Sequence, residues 1–276
     1  MSSSKTPAFD ERSLALRRRL IDMLSRSRRG HLGSAFSVTE ILRVLYDHVL
    51  KYDAKNPRWD GRDRFILSKG HGCMAQYVLL AEKGFFPEAE LDRFCEFGAL
   101  LGGHVEYGIP GIEVSTGSLG HGLSVAVGMA IAARMDKKPH RVIAVLGDGE
   151  CEEGSVWEAA MGAAKHHLSN LTVIVDRNVF QCYGSTEEVS GLEPFADKWR
   201  SFGWTVKECD GHDPAALRAA LAQLPFDEKR PGVLLARTLK GKGVSFMECN
   251  PDWHHTNKIS DEELARLRRA LEETRA

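Results

Sequence analysis

The amino-acid sequence predicts an α/β fold in which a mostly parallel sheet is flanked by helices. The main evidence is a strand–helix–strand pattern: an apolar run over 142–146, a helical segment over 154–164 and a second apolar run over 171–175. Parallel strands are joined by helical crossovers of this kind. Two more apolar runs, over 64–67 and 231–238, also lead into polar, glycine-containing turns, as buried strands commonly do.

Hydrophobic periodicity predicts the helices that cover this sheet. Over 10–27, leucines and an isoleucine recur at the spacing of one helix face. Over 213–224, Asp213 can cap a helix that has proline at its first position. Further helices are predicted over 37–50, 73–83, 123–135, 193–202 and 261–275, and a further strand over 204–208. We expect residues 1–9 to form a flexible tail and residues 10–276 to form a single domain.

Bulk composition argues against several classes of function. The 37 basic and 38 acidic residues nearly cancel, which is not typical of a nucleic-acid-binding surface. No apolar run approaches the ~20 residues that cross a bilayer, and the amino terminus lacks the apolar segment of a secretory signal. The six cysteines are scattered along the sequence without close pairs, a pattern that is typical of reduced thiols. We therefore expect a cytoplasmic protein that binds neither nucleic acid nor membranes.

Polar side chains follow both strands of the strand–helix–strand unit. The first strand ends at Gly147-Asp148-Gly149, and Asn178 follows the second. Carboxylate and amide oxygens are ligands for Mg²⁺ or Ca²⁺, and glycines let the backbone approach a phosphate. The alternative is that Asp148 only caps a helix after a turn. The presence of Asn178 at the next strand end favours a metal–diphosphate site.

Histidines recur in glycine-rich turns. They lie in Gly30-His31-Leu32-Gly33, in Ser68-Lys69-Gly70-His71-Gly72 and in Gly102-Gly103-His104, and a further pair, His254 and His255, follows Trp253. On spacing alone each could be a turn or capping residue, and we expect His31 to lie on an exposed turn. Histidines in such turns can also carry protons near neutral pH.

Two other features have more than one interpretation. Lys240-Gly241-Lys242-Gly243, after the run over 231–238, is either a basic phosphate-binding loop or a polar turn, and the turn is the simpler interpretation. The helix over 123–135 is rich in small residues, which permits close packing, here against a partner subunit.

Taken in order along the chain, these motifs resemble the amino-terminal half of transketolase. The aspartate motif followed about thirty residues later by Asn178 resembles the metal–diphosphate motif of thiamine diphosphate enzymes. The resemblance narrows to transketolase when the histidine motifs and the segment over 116–122 are included. It extends from about residue 14 to residue 255. It implies the thiamine-diphosphate-binding fold. Val105 and His121 stand where the family usually has proline and glutamine.

The resemblance also implies a role for each site residue. Asp148 and Asn178 would bind the metal through their side chains, and Phe180 through its carbonyl. Cofactor contacts are implied for His71, Gly117, Ser118, Leu119, Gly149, Glu150, Asn178 and His255. The catalytic histidines would be His31, His71, His104 and His255, with His254 as the alternative register of the last.

The implied function is transfer of a two-carbon ketol unit from a ketose, or ketose phosphate, to an aldose. Thiamine diphosphate and a divalent metal would be the cofactors. Transketolase has a second half that this chain lacks, so we expect a separate carboxyl-terminal subunit, in an α2β2 assembly. One alternative is the α subunit of a thiamine-diphosphate-dependent 2-oxo acid decarboxylase or dehydrogenase, although the histidine-rich loops suit a polyol better. A second is a non-catalytic cofactor-binding protein.

Overall fold

One sheet of five parallel strands forms the centre of the computed structural model, which describes residues 9–274. The strands are β1 (Arg64–Leu67), β2 (Val142–Gly147), β3 (Leu171–Arg177), β4 (Thr205–Asp210) and β5 (Gly232–Arg237). They lie in the order β1-β2-β3-β5-β4, and every neighbouring pair is parallel. The predicted fold class is confirmed.

Helices lie on both faces of this sheet. They are α1 (Glu11–Ser27), α2 (Leu32–Val44), α3 (Cys73–Glu82), α4 (His121–Met135), α5 (Gly154–Lys165), α6 (Thr186–Val189), α7 (Phe195–Ser201), α8 (Pro214–Leu221) and α9 (Asp261–Glu273). Asp10 caps α1 and Asp213 caps α8, each by accepting backbone N–H groups of the first turn. None of the described helices is long and apolar enough to cross a membrane.

Alternating side chains of the strands feed two separate cores. On one face, Ile143 and Val145 of β2 pack with the core residues of α1, α2 and α3. On the other face, Ala144 and Leu146 pack with α4, α5 and α7. Because successive residues of a strand point to opposite faces, a strand buried on both sides must be apolar throughout. This explains the uninterrupted apolar runs in the sequence.

The parallel arrangement brings five strand ends to one edge of the sheet. β1 leads into Ser68, β2 into Asp148, β3 into Asn178, β4 into Gly211 and β5 into Thr238. The polar turns that the sequence spreads over 170 residues therefore converge, and this edge carries the candidate site.

The predicted helix over 37–50 is wrong at its start. Helix α2 begins at Leu32, and the chain continues from Leu45 to Val49 as a π-helical turn. The composition around Gly33 resembles a turn, but Leu32 to Phe36 are all buried, so tertiary packing overrides the local preference. His31 is consequently the N-terminal cap residue of α2 and is partly buried, rather than lying on an exposed turn.

Most of the predicted tail, residues 1–8, lies outside the described residues. Phe9 is described, and its ring lies 3.8 Å from the guanidinium carbon of the buried Arg17. All six cysteines are free thiols.

Candidate active site

A cavity of about 310 Å³ lies at the carboxyl-terminal edge of the sheet. The predicted site residues that line it are His31, His71, His104, Gly117, Leu119, Asp148, Gly149, Glu150, Asn178, Phe180 and His254. His255 is next to this set, with its ring centroid 4.3 Å from that of His31. Ser118 is exposed and is not among the lining residues. A larger groove of about 560 Å³ around 55–62 and 107–113 contains none of the predicted residues.

Asp148 and Asn178 form one corner of this cavity, which we call the diphosphate corner together with Gly149 and Phe180. Asp148 Oδ1 accepts the Gly149 N–H at 2.8 Å, and its Oδ2 accepts the Val179 N–H at 2.6 Å. Asn178 Oδ1 accepts the Phe180 N–H at 3.2 Å. These hydrogen bonds join the turns after β2 and β3, and Asp148, Asn178 and Phe180 all line the cavity.

The charge of Asp148 is only partly compensated within the protein, by the Arg177 guanidinium, whose Nη1 lies 3.4 Å from Asp148 Oδ2. Burial and the nearby charge of Asp176 raise the pKa of Asp148 to about 6. Within the described residues, no group of three His, Cys, Asp or Glu side chains could hold a metal by itself. A metal held here by one carboxylate, one amide and one carbonyl would need further oxygens, which phosphates and water commonly supply.

Three other side chains make the corner suitable for an anionic group. The Ser34 hydroxyl is buried, lines the cavity and has no hydrogen-bond partner among the described residues. Lys69 and Lys240, 0% and 3% exposed, also line it. An unpartnered buried hydroxyl is costly unless a ligand satisfies it, and the positive charge of the two buried lysines favours an anionic ligand. The residues present therefore fit a diphosphate with a divalent cation.

Lys69 is held in place by a buried ion pair with Asp176. Asp176 also accepts the hydroxyls of Ser37, at 2.6 Å, and Thr238. Burial acts to raise the pKa of Asp176, but the Lys69 ammonium and these hydrogen bonds outweigh it and lower the pKa. This network keeps the Asp176 carboxylate charged. It also links α2 and β3 to the turns that follow β1 and β5.

Five imidazole rings form a second feature, which we call the histidine cluster. His31 is at its centre, with ring centroids of His71, His104, His254 and His255 at 5.3, 5.6, 5.7 and 4.3 Å. The close approach of His104 depends on Gly117, because a Cβ there would lie 2.7 Å from the His104 ring.

Four of the five rings of the histidine cluster have pKa values that are lowered by burial, which favours the neutral form near pH 7. Burial and the neighbouring histidines lower the pKa of His31 to about 3. Burial and the Lys240 charge lower the pKa of His254 to about 4. Burial likewise lowers the pKa of His71, well below its ordinary value, and that of His104. Neutral imidazoles both donate and accept hydrogen bonds, which suits sugar hydroxyls.

Glu150 has its carboxylate engaged by the protein. It accepts the Ser68 hydroxyl, the Gly120 N–H at 3.0 Å and the Gly147 N–H at 3.1 Å. Glu150 therefore fixes the loop that carries Gly117 and Leu119 against the ends of β1 and β2. Its predicted contact with a cofactor stays a prediction, as do the individual roles of the other site residues.

Sequence reasoning missed Lys240, Ser34 and Lys69. The Lys240 segment is a turn, as the simpler interpretation predicts, but Lys240 itself is buried and its Nζ donates to the Phe180 carbonyl at 3.1 Å. The sequence signal for Lys240 was its position just after the end of a predicted strand, because ligands bind at that edge of parallel sheets. Lys69 directly precedes the His71 motif, whereas nothing in the sequence marks Ser34.

Comparison with known proteins identifies the family. The family described as "Transketolase, thiamine diphosphate binding domain" matches residues 10–274. The chain belongs to the transketolase family. It is 44% identical over 239 residues to one of the named subunits of apulose-4-phosphate transketolase from Phocaeicola vulgatus, covering 87% of this chain and 85% of that protein. It is also 44% identical over 234 residues to the 6-deoxy-6-sulfo-D-fructose transketolase subunit SqwG of a Clostridium species, covering 84% of this chain and 85% of that protein.

Solved transketolases have the same fold over nearly the whole chain. Transketolase from Campylobacter jejuni superposes with a TM-score of 0.88 at 29% identity, covering 96% of this chain and 42% of that one. For transketolase from Leishmania mexicana the TM-score is 0.83 at 30% identity, covering 95% and 44%. The chain thus spans less than half the length of these solved transketolases, but most of the length of the relatives named as subunits.

Proposed function

We propose that this chain is the amino-terminal, thiamine-diphosphate-binding subunit of a two-chain transketolase. The reaction would move a two-carbon ketol unit from a ketose or ketose phosphate to an aldose. The observation that carries the proposal is the histidine cluster adjoining the diphosphate corner in a single cavity. One part suits a charged cofactor tail, and the other suits a neutral, hydroxyl-rich substrate.

The diphosphate corner would hold the cofactor's anionic end. Asp148, Asn178 and the Phe180 carbonyl would bind Mg²⁺ or Ca²⁺, and Gly149, Ser34 and Lys240 would contact the diphosphate. When bound, thiamine diphosphate supplies the carbon nucleophile that forms and cleaves bonds beside a carbonyl. The chain's part is to orient this group and exclude water from it.

The histidine cluster would bind the sugar and orient its hydroxyls. His254 Nδ1 lies 2.6 Å from the Lys240 ammonium, which can only donate, so the proton of the neutral His254 ring is on Nε2. His31, at the centre of the cluster, can exchange hydrogen bonds with neighbouring rings and with a substrate hydroxyl. Because these imidazoles are uncharged, they can donate and accept hydrogen bonds with the substrate's hydroxyls.

A second chain would complete this site. Three relatives of similar length are named as subunits, whereas a longer relative, transketolase from Pongo abelii, is matched over only 40% of its length. The partner would be a separate carboxyl-terminal subunit, in an α2β2 assembly in the cytoplasm. The alternative of a 2-oxo acid decarboxylase subunit is not favoured, because such a substrate has no evident use for five clustered imidazoles.

Reconstitution tests the proposal directly. The purified chain is mixed with a candidate carboxyl-terminal transketolase chain, sought in the neighbouring reading frames, together with thiamine diphosphate, Mg²⁺ and a panel of ketoses and aldoses. Products are identified by mass spectrometry. We expect two-carbon transfer only when both chains are present, and its loss with an Asn178→Ala chain. Robust transfer by this chain alone, or decarboxylation of 2-oxo acids by the mixture, would overturn the proposal.

A further inference from the structure

The turn that carries Lys240 is fastened on the side away from the cavity. Towards the cavity, Lys240 Nζ contacts the Phe180 carbonyl and His254 Nδ1. On either side of Lys240, the Leu239 N–H donates to His212 Nε2 at 2.8 Å, and the Lys242 carbonyl accepts Arg17 Nε at 3.1 Å. His212 and Arg17 therefore hold the backbone within two residues of the buried lysine.

The hydrogen bonds of His212 fix its tautomer. A backbone N–H can only donate, so Nε2, which receives the Leu239 N–H, carries the lone pair. The proton is then on Nδ1, which donates to Glu40 Oε2 at 2.9 Å. The side chain of His212 is only 11% exposed, so little water competes for either bond.

A buried ion pair holds His212 in turn. The side chains of Glu40, on α2, and Arg17, on α1, are both 0% exposed and form a salt bridge. Burial acts to raise the pKa of Glu40, but the Arg17 charge and the hydrogen bonds from Arg17 and His212 lower it to about 2. Glu40 is therefore charged, and removing its hydrogen-bond donors would be costly.

We propose that His212 is a positioning residue that sets the place of Lys240 in the active site, with Glu40 and Arg17 as its support. The chain of contacts runs from α1 through α2 and the turn after β4 to the turn after β5. It acts through the backbone of Leu239, so its effect on Lys240 is local. The turn is also held by Gly241 N–H to Gly33 O at 3.1 Å and Cys249 N–H to Lys240 O at 3.0 Å, so loss of one bond shifts it without unfolding it.

Two substitutions at position 212 separate the two hydrogen bonds. In His212→Gln the side-chain oxygen takes the place of Nε2, so the Leu239 N–H keeps its acceptor while Glu40 loses its donor. In His212→Asn the amide takes the place of Nδ1, so Glu40 keeps its donor while Leu239 loses its acceptor. Because Glu40 stays partnered, the asparagine variant is expected to fold. His166→Asn, at an exposed histidine at the end of α5, is the matched control.

The first measurement is the rate at which an acylating reagent modifies Lys240 in the chain alone, followed by mass spectrometry. A lost hydrogen bond of about 1 kcal/mol corresponds to roughly a fivefold change. We expect His212→Asn to raise the Lys240 labelling rate by about fivefold or more, and His212→Gln to leave it near wild type despite a lower melting temperature. Equal labelling in His212→Asn and wild type, or a larger increase in His212→Gln, would overturn the proposal.

The second measurement is the thiamine diphosphate Kd of the assembly with its partner chain, and this arm rests on the proposed function. We expect a Kd increase in His212→Asn and none in His212→Gln or His166→Asn. If the thiamine diphosphate Kd of the variants changed in step with their melting temperatures, whether or not the hydrogen bond from the Leu239 N–H is kept, His212 would have a merely structural role. If the wild-type assembly binds no cofactor, the proposed function fails, while the labelling experiment still decides the role of His212.

Discussion

The diphosphate corner and the histidine cluster share one cavity but differ in how they are built. The corner comes from the ends of two adjacent strands, β2 and β3, within one strand–helix–strand unit. The cluster comes from four separate segments, around His31, His71, His104 and the pair His254 and His255. The corner is therefore local in sequence, whereas the cluster exists only after the chain has folded.

The two regions also differ in their charge. In the corner, burial raises the pKa of Asp148, and ammonium groups stand nearby, so charged ligands are favoured. In the cluster, burial lowers the pKa values of His31, His71, His104 and His254, which favours the neutral form of these four rings. Burial thus raises the pKa of a carboxylate in the corner and lowers the pKa values of imidazoles in the cluster. We therefore expect substitutions in the two regions to have different consequences.

The largest expected effect on stability comes from the ion pair beneath the corner. Lys69→Met leaves the Asp176 carboxylate buried without its partner, which typically costs ~3–5 kcal/mol. The free energy of unfolding from urea titration measures this loss. The double variant Lys69→Met/Asp176→Asn removes both charges and should recover most of it. Equal losses in the single and double variants would contradict the charge-based explanation.

A large effect on turnover, without one on cofactor affinity, is expected in the cluster. His31→Asn removes the central ring, and a positioned histidine typically contributes about 100-fold or more to rate. In the reconstituted assembly we expect kcat to fall by that order, with the thiamine diphosphate Kd within about threefold of wild type. Asn178→Ala should do the reverse at saturating donor, weakening cofactor binding first. If both variants changed the same parameter, the division between the regions would be wrong.

The pH dependence of stability should report the neutral cluster. His31 and His254 have pKa values of about 3 and about 4 in the folded chain, below the ordinary value of 6.5. At a pH between the folded and the unfolded pKa values, the unfolded chain binds more protons than the folded chain. The free energy of unfolding therefore falls as the pH drops from about 6.5 towards 4. Each such proton contributes at most about 1.4 kcal/mol per pH unit, less for partly exposed rings.

Removing these two titrations should flatten the curve. We expect His31→Gln/His254→Gln to lose stability less steeply than wild type in urea unfolding at pH 7, 6 and 5. The exposed His166 serves as the control, since His166→Gln should leave the slope unchanged. A double variant with the wild-type slope would show that the cluster is not what makes the folded chain sensitive to acid.

The smallest expected effect lies outside both regions. Ser260 caps α9 and forms a capping box with Glu263. Ser260→Ala should lower the free energy of unfolding by ~1 kcal/mol, and cofactor affinity should not change, because α9 packs on α1 away from the cavity. Calorimetric melting and cofactor titration of the same sample measure the two quantities. A weakened cofactor affinity would mean that general loss of stability, and not local chemistry, governs the site.

The sequence predicted those features whose cause is local. Buried strands show as apolar runs, and Asp148 and Asn178 were visible because each lies within three residues of the end of such a run. The start of α2 was missed because packing against the sheet, not composition, extends it to Leu32. The turn that carries Lys240 was predicted, but the burial of its side chain was not, because that burial depends on distant contacts with Phe180 and His254. The unpartnered Ser34 hydroxyl has no sequence signature at all.

The central claim is that Asp148 and Asn178 together hold a divalent cation and the diphosphate of the cofactor. Isothermal titration of thiamine diphosphate, with Mg²⁺, into the reconstituted assembly tests it most directly when both residues are changed to alanine. We expect a fall in affinity of about 100-fold or more, with a chelator reducing wild-type affinity in the same way. Unchanged cofactor binding by the double variant would contradict the account.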